Sequence, residues 1–319
     1  MMVLPGHDSY TCVMLNLQTT THTETYAHAR LEAQIGKTPL LHLQQTAVTL
    51  NLPKSVQLYA KAEWFNPSGS VKDRAALQII RTAEENGQLW PGMTLLDSSS
   101  GNMALAYALL GKARGYKVLL CVPESAGDER IANLRSLGAD VILTDSAEGS
   151  DGAIRAAREI AKSDPTLFYA RQYDNPANWQ AYYETMAPEI WAQTKRQVTD
   201  FVAVLGSSGT FLGTARRLRA FNPNIQCIAV QPASATEGIK GLKHMPSAIR
   251  PAIYNETVAD GAMSITRAEA DAMQEMLALC EGIEVGSSAA AAVAAAVNHA
   301  RTLANGHVVT VLPDALQNF

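Results

Sequence analysis

Short runs of consecutive apolar residues alternate along this chain with longer stretches in which apolar positions recur every three or four residues. That is the signature of strands alternating with amphipathic helices. The strand-like runs are Val56–Ala60, Thr94–Asp97, Lys117–Val122, Asp140–Thr144, Phe201–Gly206, Cys227–Gln231 and Val308–Leu312. Helical patterns fill the intervals, over Asp73–Asn86, Met103–Arg114, Asp128–Leu137, Ala153–Lys162, Ala181–Thr194, Phe211–Ala220, Arg267–Leu279 and Ala289–Ala304. Runs such as Val118-Leu119-Leu120-Cys121-Val122 are apolar at every position, as expected where helices cover both faces of a parallel sheet. The pattern predicts an α/β fold. Ligands in such folds bind beyond the carboxyl ends of the strands, so the Gly- and Pro-containing turns that follow them are where chemistry is sought.

The 319 residues, 47% of them hydrophobic, suffice for about two domains or lobes without disulfide or metal staples. Lys and Arg total 26 against 30 Asp and Glu, with no dense basic run, which argues against a nucleic-acid partner. The longest purely apolar run, Ala289 to Val297, is far short of the ~18–20 residues that span a bilayer, so no membrane span is expected. Cys12, Cys121, Cys227 and Cys280 are widely separated and fit reduced thiols better than a disulfide framework or a zinc site. Met1–Thr20 lacks the basic start and apolar block of a signal peptide, so the expected location is cytoplasmic. The polar, threonine-rich residues 1–30 read as an N-terminal arm, and the small polar stretch Ala147–Gly152 suggests a lobe boundary near residue 145.

Four turn segments carry candidate chemistry. In Asn66-Pro67-Ser68-Gly69-Ser70-Val71-Lys72-Asp73-Arg74 a turn runs into a helix start and leaves Lys72 in the first turn. Positive charge there opposes the helix dipole by ~0.3–1 kcal/mol, which favours a neutral amine or an imine; pairing with a nearby acid on a solvated face is the competing reading. Ser98-Ser99-Ser100-Gly101-Asn102 follows a strand and opens a helix, which suits either a neutral cradle for a carboxylate or an ordinary capping turn. Gly206-Ser207-Ser208-Gly209-Thr210 repeats the strand–turn–helix pattern without the lysine of a Walker loop, so amides and the helix dipole would hold a phosphate. Val285-Gly286-Ser287-Ser288 opens the alanine-rich helix, where a serine is either an N-cap or a ligand contact.

Together these segments resemble the fold type II pyridoxal-phosphate enzymes, specifically the cysteine synthase and cystathionine β-synthase group, and most closely its cysteine synthase B branch. Further matching stretches are Ile35-Gly36-Lys37-Thr38-Pro39-Leu40, Gln172-Tyr173-Asp174-Asn175-Pro176-Ala177-Asn178, Pro188-Glu189-Ile190-Trp191 and Val309-Thr310-Val311-Leu312-Pro313-Asp314. The resemblance implies two lobes, each a mainly parallel twisted sheet covered by helices. Residues 50–145 would form a smaller mobile lobe carrying Lys72 and the Asn102 loop, and residues 31–49 plus 146–319 a larger lobe binding the cofactor phosphate.

It also implies pyridoxal 5′-phosphate as cofactor, with Lys72 as its Schiff-base lysine and as the base that takes the substrate α-proton. Asn102 would contact the phenolic oxygen, Gly206, Ser207, Ser208, Gly209 and Thr210 the phosphate, and Ser288 the pyridine nitrogen. Ser99, Ser100 and Gln172 would hold the substrate carboxylate, and Lys243 an acidic group on its side chain or, on the alternative reading, merely a solvated loop. A serine hydroxyl is too weak an acid to keep the pyridine nitrogen protonated, which predicts a ring of only moderate electron-withdrawing power. The implied reaction is β-replacement on an activated L-serine, O-acetylserine or O-phosphoserine, through an aminoacrylate, with sulfide giving L-cysteine. Another small nucleophile, a serine or threonine dehydratase and a weakly catalytic cofactor-binding protein remain alternatives. No metal is called for, and a homodimer is expected. At Met103 the chain departs from the family's usual threonine.

Overall fold

The computed structural model describes residues 28–99 and 101–316. A helix, α1, is described over residues 28–32. After it come β1 (Leu40–His42), α2 (Gln44–Thr49), β2 (Val56–Ala62), α3 (Lys72–Glu85), β3 (Thr94–Ser98), α4 (Asn102–Ala113), β4 (Lys117–Pro123), α5 (Asp128–Ser136), β5 (Ala139–Thr144) and α6 (Gly149–Ser163). The chain continues through β6 (Leu167–Tyr169), α7 (Pro176–Ala181), α8 (Ala187–Gln193), β7 (Asp200–Val204), α9 (Gly209–Phe221), β8 (Gln226–Pro232), β9 (Gly261–Ile265), α10 (Arg267–Glu281), α11 (Ser287–Ala300) and β10 (Gly306–Leu312).

The strands form a six-stranded sheet in the order β1-β2-β10-β7-β8-β9 and a four-stranded sheet in the order β5-β4-β3-β6. Every pairing is parallel except that of β1 with β2. The α/β class and two-lobe plan read from the sequence hold. The boundaries expected at residues 50 and 145 differ from the sheet membership. Strand β2 pairs in register with β10, Val56 opposite Gly306, and so joins the six-stranded sheet, while β6 extends the four-stranded sheet to residue 169. Of the expected arm, residues 1–27 lie outside the described residues, and residues 28–30 are helical.

The helix expected over Ala181–Thr194 is broken into α7, a π-helical turn at Tyr182–Met186, and α8. Pro188 has no amide hydrogen to give the preceding turn, and the backbone widens ahead of it. This turn also supports the start of α3, because the Tyr182 hydroxyl donates to the Val71 carbonyl at 3.2 Å. Helix α11 is buried nearly all round, which its alanines permit by letting neighbouring backbones approach.

The start of α3 is held by a buried ionic network that unites three segments far apart in sequence. Arg74 donates to both carboxylate oxygens of Glu63, at 2.7 and 2.9 Å, and to both of Glu189, at 2.7 and 2.8 Å. Lys61 lies 2.7 Å from Glu189 and donates to the Thr38 carbonyl, while the Thr38 hydroxyl donates to Glu63 at 2.6 Å. The side chains of Lys61, Glu63 and Arg74 have at most 1% of their surface exposed, so each charge depends on the others rather than on water. Burial alone would push the Glu189 carboxyl up; hydrogen bonds and charge from Arg74, then Lys61, overcome it and hold the carboxyl at about 2. Gly36 makes room for the network, since a Cβ there would lie 2.9 Å from an Arg74 nitrogen.

Arg74→Ala, which strands Glu63 as a buried charge, is expected to cost about 3–5 kcal/mol of stability, measured by urea denaturation. The double substitution Glu63→Gln with Arg74→Met leaves no such charge at that end of the network and should recover much of the loss.

Candidate active site

The carboxyl ends of β3 and β4 in one sheet and of β7 and β10 in the other open onto a common cavity of about 590 Å³. Lys72, Ser99, Asn102, Gln172, Gly206, Ser207, Ser208, Thr210, Lys243 and Ser288 all line it. Gly209 sits just behind, against Asn178, where a Cβ would come within 2.0 Å of the Asn178 side-chain oxygen. Ser100 lies outside the described residues.

Lys72 is the first residue of α3, is half-buried and lines the cavity. Desolvation lowers its pKa, and the charge of Asp314 partly restores it. Asn102, the first residue of α4, donates its amide to Asp314 at 2.6 Å. Ser288, in the first turn of α11, donates to the other carboxylate oxygen of Asp314 at 3.2 Å.

The loop from Gly206 to Thr210 passes from β7 into α9. Ser208 caps that helix in the left-handed region (φ 74°), and its buried hydroxyl has no protein partner. Ser207 accepts from the Asn178 amide at 3.1 Å. A Cβ on Gly206 would lie 2.4 Å from the Gly241 carbonyl, so only glycine fits. The first-turn amides of a helix have no partners within it, and with the two serine hydroxyls they form a concave donor surface suited to a phosphate.

On the opposite wall, Gln172 donates its side-chain amide to the Ser98 carbonyl at 2.8 Å, and Ser99 accepts from the Gly101 amide at 3.2 Å. Lys243 reaches the cavity, but its ammonium is 2.9 Å from Asp151 and lies over the Tyr173 ring, so much of its charge is met by protein. Met103 lines the cavity and is 2% exposed, packed into the core beneath the loop. Sequence reasoning did not single out Arg130, Asn178 or Asp314 as site residues. Asp314 follows the end of β10, the location where α/β sheets bind ligands, and that rule would have flagged it.

The chain belongs to the pyridoxal-phosphate dependent enzyme family, whose model matches residues 31–314. It is 41% identical to a cysteine synthase of Aquifex aeolicus over 93% of each chain. Cysteine synthase B of Escherichia coli is 35% identical over 89% of this chain and 92% of that one. The crystal structure of a cysteine synthase from Entamoeba histolytica superposes with a TM-score of 0.84 at 31% identity, covering 89% of this chain and 87% of that one. The chain is accordingly a pyridoxal-phosphate dependent enzyme of cysteine synthase type. The residues present fit that cofactor: an unpartnered buried serine hydroxyl and tight glycines in the phosphate-sized loop stand across the cavity from an amine of depressed pKa.

In cofactor-free protein, reductive methylation of Lys72 followed by mass spectrometry should show a midpoint below the ordinary lysine value of 10.5. Asp314→Asn should lower the midpoint further, because it removes a negative charge that favours the ammonium.

Proposed function

We propose that this chain makes L-cysteine by β-replacement, using sulfide to displace the leaving group of O-acetylserine or O-phosphoserine. The observation that carries this reading is the convergence of Lys72, Asn102, the 206–210 loop and Ser288 on one cavity between the facing sheet edges. When bound, the cofactor supplies an electron-withdrawing ring that makes the substrate α-proton removable. Lys72 would hold the cofactor covalently, and its Nζ, once freed, would take the substrate α-proton as general base. Its depressed pKa suits that task, because an amine that gives up its proton more readily than an ordinary lysine is more available as a base.

The 206–210 amides and hydroxyls bind the phosphate, Asn102 the phenolic oxygen and Ser288 the ring nitrogen. Ser99 and Gln172 receive the substrate carboxylate, aided by the positive charge of Arg130 in the same cavity. The lobe built on the four-stranded sheet is the mobile one in this reading, since it carries the substrate-facing loop, while the six-stranded lobe holds the phosphate. A cytoplasmic homodimer completes the reading, and light scattering tests its subunit number.

The direct test supplies purified protein with sulfide and either O-acetylserine or O-phosphoserine and measures cysteine. We expect cysteine to form, and Lys72→Ala to reduce turnover by at least ~10²–10⁴-fold, the range for a lost general base. Pyruvate as the only product would identify a dehydratase instead, and no product from either substrate would refute the proposal.

Because Lys243 is paired with Asp151, Lys243→Ala is expected to raise KM for the two substrates by similar factors. A selective loss with O-phosphoserine would instead show that its charge meets the leaving group.

A further inference from the structure

Lys243 stands beside the residues assigned to the substrate, yet its charge is already engaged. Its amide donates to the Leu205 carbonyl at 2.8 Å, which ties its backbone to the end of β7. Its side chain is only 9% exposed and reaches across to the other lobe, where the ammonium donates to Asp151 Oδ1 at 2.9 Å and lies 5.0 Å from the centre of the Tyr173 ring. Tyr173 follows Gln172 in the chain, and both line the cavity with Lys243.

Asp151 is seated independently of the lysine. It lies in the first turn of α6, which packs on β3 and β4, and its second oxygen accepts from the Ile249 amide at 2.9 Å. A helix N-terminus favours negative charge at such a position. Burial pushes the carboxyl up, but the Ile249 amide and then Lys243 outweigh it and hold it below the ordinary aspartate value. The pair is therefore ionic, and it joins the two lobes at the cavity wall, where the neighbours Ser150 and Ala153 of Asp151 are exposed to the same space.

A phosphate ester carries about −1.5 to −2 charges at neutral pH. To meet Lys243 it must displace a carboxylate already in place and approach that carboxylate's own charge. An acetyl ester is uncharged and meets neither cost. The other cations of the cavity wall are also faced by acids, Arg130 by the charge of Asp314 and Arg267 by Asp271 at 2.6 Å.

Resting on the β-replacement reading above, we propose that Asp151 is a specificity-determining residue that turns the enzyme away from O-phosphoserine and toward O-acetylserine, by withholding Lys243 from an anionic leaving group and repelling that group directly. Rejection of one ligand by a like charge is a common route to selectivity, and it leaves the neutral competitor untouched.

The test compares wild type with Asp151→Asn, which removes the charge but keeps an acceptor for the Ile249 amide. The ratio of kcat/KM for O-phosphoserine to that for O-acetylserine should rise ~10-fold or more, the range for a hydrogen bond gained from a charged group. Asp151→Glu, which keeps the charge, should stay closer to wild type, and adding Lys243→Met to Asp151→Asn should abolish most of the gain. Calorimetric titration of the holoenzyme reads the same effect without turnover. The phosphonate in which a methylene replaces the ester oxygen of O-phosphoserine should bind more tightly to Asp151→Asn, whereas L-methionine, of similar length and uncharged, should not. An unchanged ratio, or an equal loss with both substrates, would make Asp151 a brace for the loop and overturn the proposal. So would an equal rise in Asp151→Glu, or a gain that survives Lys243→Met. Absence of cysteine from wild type would refute the β-replacement reading alone, because the titrations still report whether Asp151 governs the affinity for the anion.

Discussion

The rest of the site depends on the buried pairing of Arg74 with Glu63 and Glu189. A guanidinium removed from water needs its donors matched by acceptors, and here two carboxylates and the Thr38 hydroxyl match them. Since Arg74 lies two residues after Lys72 on the same helix, fixing the guanidinium fixes the direction of the helix end that presents the amine. The turn before it is tied in as well: Asp73 accepts from the Ser68 amide at 2.7 Å, and Asn66 accepts from the Gly36 amide at 2.8 Å. Replacing such a network by well-packed apolar residues often costs little stability, so its value here lies in specifying one arrangement of the 35–40, 63–74 and 188–189 segments.

From that fixed helix end, the two sheets complete the site by opposing their carboxyl edges. Strands β3 and β7 each run through a short turn into a helix and α3 begins beside them, so three helices start at or beside the cavity with Asn102, Gly209 and Lys72 as their first residues. Such a concentration of positive helix ends favours anionic ligands and disfavours an ammonium. Anion binding and a readily deprotonated lysine therefore arise from one construction, and Asp314 tempers it by returning a single negative charge to the cavity floor.

Much of this was legible in the sequence because the informative signals are local. The runs expected to be strands at Val56, Thr94, Lys117, Asp140, Phe201, Cys227 and Val308 each form one, and the glycines of the 206–210 loop stand where close backbone approach demands them. What escaped was too short, too weakly apolar or too distant. The edge strand β9, Gly261–Ile265, buries only its last residue and carries little apolar signal. Strands β1 and β6 have three residues each, less than periodicity can register. The placement of β2 in the larger sheet depends on its pairing with β10, some 250 residues away, which no local pattern encodes. The joining of Glu63 to Arg74 and Glu189, and of Asp151 to Lys243, is likewise set by tertiary contact, so a lysine that looked like a free substrate-binding charge stands half-neutralised.

The position of Asp314 imposes opposed demands on its neighbours, and their balance shapes the chemistry open to this cavity. A carboxylate near Lys72 favours the ammonium and so works against the base, while burial and the helix end work for it. The charge would be a pure liability if it acted on Lys72 alone. It also accepts the protons of Asn102 and Ser288, which stand on different lobes, so one group holds both sides of the cavity in register. A neutral side chain there would leave Lys72 more fully deprotonated but would loosen the two contacts that tie Asn102 and Ser288 together across the cavity. Retaining the charge trades some depression of the lysine pKa for a fixed frame around the cavity, and positioning of that kind is a large part of what a protein adds to a cofactor's intrinsic chemistry.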